Sequence, residues 1–183
     1  MFGFGKKRLS EEEMRELALG IAGTICLTVL LIEKKVMAGQ HMLLASYYRR
    51  ILDYSNTEEN NKIVTHMLTD RFAELNRSIT KPSYQALMQQ GAALWRPWKE
   101  ELMLMCLRFA MLCDENKKHA DLVIGAGQSM GINWPTMSGL ISTASNDIKW
   151  RYDFDGFDEH FESMEIMELA VARADFDPAI MGL

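Results

Sequence analysis

Leu17–Ile32 reads LALGIAGTICLTVLLI, sixteen residues without a charge, bounded by Glu16 and Glu33. No other part of the chain is as apolar for as long. A helix that is apolar all round must be buried all round. Start signals precede the run: Ser10 followed by Glu11, Glu12 and Glu13 fits a capping box, with Ser10 as N-cap and Glu13 at the third helical position. The three acids also suit the positive end of the helix dipole. Lys34 and Lys35 suit its negative end, and Gly39 can stop it. The expectation is one helix over about Glu11–Met37, with Gly20 and Gly23 placed where a neighbouring helix approaches closely.

Whether that helix lies in lipid or in protein is decided by length. At about 1.5 Å per residue the run reaches roughly 24 Å, short of a hydrocarbon core of roughly 30 Å. Lys6, Lys7 and Arg8 could open a signal peptide, but Glu11–Glu13 and Glu16 intervene before the apolar run. A buried core helix is therefore expected, and a membrane role is not.

The rest of the chain reads as further helices. Expected spans are Gln40–Tyr54, a third helix opening at Thr57 with Ile63, Met67, Phe72 and Leu75 on its inner side, and Ser83–Leu94. Then come Trp98–Cys113 behind Pro97, Ala120–Met130 ending at Gly131, a helix capped by Asn133, and an acidic helix over about Phe157–Ala174. No alternating strand pattern is present. The fold class expected is all-α: a single-domain bundle of seven or eight helices around a buried N-terminal helix. Residues 1–9 form a loose basic arm, 10–150 the bundle, and 151–183 an acidic C-terminal helix and tail packed on the same domain.

Charge is unevenly placed. The net charge is −5, yet residues 153–183 carry nine acids against Arg173 alone, and residues 1–9 carry three cations and no acid. Beside these acids, Asp147–Gly156 is rich in aromatics. Tyr152, Asp153, Phe154, Asp155, Phe157, Asp158, Glu159 and Glu162 are the candidate partner-binding residues, because such a surface steers a cationic protein by long-range attraction.

Catalytic signatures are missing. There is no HExxH, no ExxH pair and no CxxC, and the GxSxG spacing of GQSMG (127–131) follows no predicted strand that would make it a nucleophile elbow. GAGQSMG (125–131) lacks the lysine of a phosphate loop. Asp153–Asp158 fails as an EF-hand, since Gly156 at loop position 6 puts Arg151 at the first ligand position. Tyr47-Tyr48-Arg49-Arg50 could stack on bases, but the acidic total favours an ordinary helix with half-buried tyrosines and solvated arginines. Trp95 and Trp98 are expected in the core or as a staple. His160, between Glu159 and Glu162, is expected to be solvated, and no cofactor is expected. Three cysteines without framework spacing point to reduced thiols and a cytoplasmic setting. No heptad seam is long enough to set an oligomeric state.

Leu102–Ile132, LMLMCLRFAMLCDENKKHADLVIGAGQSMGI, resembles half of the tellurite-resistance TerB-like helical domain. Asp114 and Asp121 match its two acidic positions and Gly131 its helix end, but Glu115 stands where that family has a turn glycine. The resemblance covers about a sixth of the chain and implies an all-helical stress-associated or scaffold domain, with Asp114 and Asp121 as metal candidates. The expected function is that of a non-enzymatic helical interaction or regulatory protein that binds a basic protein partner, and not nucleic acid, through its acidic C-terminal surface. The alternatives are a metal-binding or stress-response TerB-like protein, and a membrane-associated one.

Overall fold

The structure, a computed structural model, describes residues 9–112, 117–150 and 161–181, without the side chains of 117–118, 148–150 and 161–164. The basic arm up to Arg8 lies outside the described residues. Eight α-helices follow one another, with no strand among the described residues. They are α1 (Glu11–Glu33), α2 (Ala38–Leu52), α3 (Glu58–Ser78), α4 (Lys81–Gln90), α5 (Arg96–Met111), α6 (Lys117–Ser129), α7 (Trp134–Trp150) and α8 (Phe161–Ala172). The architecture is the expected all-α bundle.

α1 is the axis of the bundle, contacting α2, α3, α4, α5 and α6. Every residue from Ile21 to Leu31 is buried. Burying one aliphatic side chain fully is worth about 1.5–3 kcal/mol, so this stretch is the largest contributor to the core. α1 is also the one described helix long and apolar enough to cross a membrane, and most of that apolar window lies inside the fold. Its N-terminus is the expected capping box: Ser10 N–H donates to Glu13 Oε2 at 2.7 Å and Glu13 N–H to Ser10 Oγ at 3.1 Å. α7 leans on α5 and α6, and α8 lies on α3.

Several boundaries differ from expectation. α1 ends at Glu33, because Lys34 takes the left-handed conformation (φ 58°) and its N–H returns to Leu30 O. The early stop frees the chain to bury Val36. α2 then starts before Gly39, with Gln40 Oε1 reaching back to accept from Met37 N–H at 3.1 Å. The inner side of α3 is Val64, Thr65, Leu68, Phe72 and Leu75. Ile63 and Met67 are instead 40% and 38% exposed. α6 stops as expected near Gly131, whose φ of +80° turns the chain so that Ile132 N–H bonds Gly127 O at 3.0 Å. Asn133 caps α7 through Oδ1, accepting from Thr136 N–H at 3.0 Å. α7 continues to Trp150, past the expected start of the aromatic acidic segment.

The two α1 glycines separate. A Cβ on Gly23 would run into the Tyr48 hydroxyl, which donates to Leu19 O at 2.8 Å. A Cβ on Gly20 would meet nothing within 4 Å. Close helix approach therefore explains Gly23 alone. Gly20→Ala should raise stability by about 0.5–1 kcal/mol through helix propensity. Gly23→Ala should cost about 1–3 kcal/mol by overpacking. Urea unfolding of the two variants checks both signs.

Burial raises the Tyr47, Tyr48 and Tyr84 phenols above their ordinary value. A raised folded-state pKa means that this stabilisation is intact below the unfolded value of about 10 and is lost as pH rises past it. Unfolding free energy should therefore fall between about pH 9 and pH 11. The Tyr84 hydroxyl is buried without a hydrogen-bond partner among the described residues. Tyr84→Phe should thus be neutral or stabilising near pH 7 and should flatten the alkaline decline.

Candidate functional site

Tyr152, Asp153, Phe154, Asp155, Phe157, Asp158 and Glu159 lie outside the described residues, as do Asp114, Cys113 and His160. Glu162 is in the first turn of α8, with its side chain outside the description. The described part of the acidic region begins at Glu165.

α8 is held by its inner face. Met167 and Val171 are buried, and Met167 Sδ accepts from Thr69 Oγ1 of α3 at 3.8 Å. Their spacing of four puts them on one side of the helix. After α8, Phe176 and Met181 return to the core, and Lys34 Nζ donates to Ala174 O at 2.6 Å, fastening the segment to the end of α1. The outer face is acidic: Glu165, Glu168, Asp175 and Asp177 are exposed, against Arg173. None of the four forms an ion pair among the described residues. Leu169 stands among them 55% exposed, and Ile180 is also exposed.

The Tyr47–Arg50 quartet is consumed inside the fold. Tyr47 and Tyr48 are fully buried, beyond the expected half-burial. Arg49, expected in solvent, is buried, donating to Asn61 Oδ1 and to Ser46 Oγ. Burial pulls its guanidinium down from the ordinary value. The seam between α2 and α3 continues through Thr65, which donates to Asn61 O at 2.9 Å and lies 3.5 Å from His41 Nε2. Only Arg50 reaches the surface, and there it pairs with Glu101 and lies over the Tyr47 ring at 5.4 Å. This arrangement leaves one cation of the quartet at the surface, already neutralised.

Two histidines are buried. His41 belongs to the α2–α3 seam, and His119 Nε2 lies 2.9 Å from Glu33 Oε1, joining α6 to the end of α1. Cys26 and Cys106 are buried free thiols, and Cys26 Sγ donates to Cys106 Sγ at 4.0 Å. Asp121 is exposed on α6. Among the described residues no three His, Cys, Asp or Glu side chains gather as a metal site. Trp95 and Trp134 are exposed, so of the two places expected for Trp95, core or staple, the core is excluded.

Sequence reasoning missed an open groove of about 640 Å³ between α1, α3 and α4, lined in part by Leu17, Gly20, Met67 and Leu87. The exposed apolar residues of α3 were its available signal, but they were read as core.

Comparison with known proteins yields no matching family model, no matching curated protein and no matching solved structure.

The seam generates a prediction. Arg49→Leu removes the donor to buried Asn61 and should cost about 1–3 kcal/mol. The double variant with Asn61→Leu should recover part of that loss, as partners in one network do. Chemical denaturation of the wild type, the singles and the double checks it.

Proposed function

We propose that the chain is a non-enzymatic interaction protein that binds a basic protein partner through its acidic C-terminal face. The observation that carries this reading is the outer side of α8 and the segment after it. Glu165, Glu168, Asp175 and Asp177 are exposed and without ion pairs among the described residues, beside exposed Leu169 and Ile180.

Physical chemistry gives such a face two properties. Unpaired acids on one side raise the association rate of a cationic partner and align it before contact. Exposed apolar side chains among them supply the short-range part, since water is excluded when they are covered. The candidates Tyr152–Glu159 immediately precede this helix in sequence and Glu162 lies in its first turn; together they would add aromatics and five more acids to the same chemistry. The inner face of α8 already spends its apolar side chains on the bundle, so the outer face is free for a partner.

The test is affinity capture with the full chain and with a variant carrying Glu165→Gln, Glu168→Gln, Asp175→Asn and Asp177→Asn. The wild type should retain a protein of pI above about 9, shed it between low and moderate salt, and lose most of it on neutralisation. Equal, salt-insensitive recovery by both proteins would contradict the reading.

A further inference from the structure

The groove beside α1 has a built character of its own. Leu17, Gly20 and Leu87 line it half-buried, and Met67 of α3 borders it. One turn earlier on α3, Ile63 carries the apolar surface into a second hollow of about 530 Å³ that Glu59 and His66 also line. Residues four apart are neighbours on a helix surface, so Ile63 and Met67 join the two hollows into one track. From Ile63 to Arg71 it runs about 12 Å, roughly two helical turns.

The charges along the track are one-sided. Its cations are already neutralised within the chain: Arg71 pairs with Glu74 at 2.6 Å and Lys62 with Glu58 at 2.9 Å. Two acids that line it are not: Glu16 and Glu59 are exposed and form no ion pair among the described residues. The occupant must therefore be apolar on one stripe and cationic at its flanks. A groove between helices, with no strand edge among the described residues, selects a helix over an added strand. Gly20 fits this use, because the space above it that a Cβ would enter is open.

We propose that this track is the docking site for a basic amphipathic helix of a protein partner. The proposal rests on the reading of the chain as a binder of basic proteins, and it assigns a second contact surface. Thr69, which meets α8, and Met67, which borders the groove, are two residues apart and so point about 200° apart around α3. The groove and the acidic face of α8 thus lie on opposite flanks of that helix.

The probe is a fluorescein-labelled helical peptide of about 18 residues, with Leu at i, i+3, i+4 and i+7 spacing and Lys elsewhere. Its control is the same peptide with Glu for Lys. Anisotropy against the full chain should show saturable binding of the Leu/Lys peptide and none of the Leu/Glu peptide. Gly20→Leu, which fills the groove, and Met67→Lys, which sets a cation against the peptide, should each weaken binding about tenfold or more. Glu165→Gln with Glu168→Gln should bind the peptide as the wild type does. Circular dichroism and the Tm of each variant report folding, and Met67→Lys, at an exposed position, keeps the test valid should Gly20→Leu not fold. Failure of folded wild type to bind the Leu/Lys peptide saturably, equal binding of both peptides, or equal affinity in the folded groove variants would overturn the proposal. Loss only in the α8 variant would also overturn it, while leaving the acidic-face reading standing.

Discussion

A helix that is apolar on every side is stable in water only when other helices enclose it, and α1 imposes that requirement on the whole chain. Its buried stretch from Ile21 to Leu31 has no hydrophilic face to give to solvent. α2 to α6 all contribute a side to its enclosure. The later helices are consequently outer elements, α7 on α5 and α6, and α8 on α3. The ends of α1 are fixed by polar contacts instead: the Ser10–Glu13 box at one end, and Lys34 with Ala174 and Glu33 with His119 at the other.

Enclosing an apolar axis moves polar chemistry outward by one layer. Arg49, Asn61, Thr65 and His41 meet between α2 and α3, where hydrogen bonds offset the cost of burial. Tyr48 spans the layers, its ring buried and its hydroxyl bonded to a carbonyl of α1. What remains at the surface is acidic and dotted with apolar side chains on α8 and along α3. Among the described residues no three His, Cys, Asp or Glu side chains gather as a metal site.

Much of the fold was legible because its strongest signals are local. The capping box of α1, the Asn133 cap of α7 and the stop at Gly131 are each written in a few adjacent residues. The start of α2 was not legible, because its cap is the Gln40 side chain reaching back to Met37, a position held by no ordinary capping residue. The facing of α3 was misread since apolar residues occur on both its sides. Choosing Ile63 and Met67 in place of Val64 and Leu68 rotates the inner face by about 100°. That same error concealed the groove, whose apolar border was assigned to the core. Arg49 was read as solvated because nothing in its own segment reveals Asn61, its partner from the next helix. The acidic surface was visible as composition, and the structure adds that α8 turns its apolar stripe inward and its described acids outward.

The central claim is that α1 is enclosed on all sides and that its enclosure is the last structure to be lost. Native-state hydrogen exchange, read residue by residue, tests it most directly. The account predicts that the amides of Ile21–Leu31 exchange only through global unfolding, with a free energy equal to that from denaturant titration, while those of α8 open at lower cost. Exchange of the α1 amides as fast as those of α8, or faster, would contradict it.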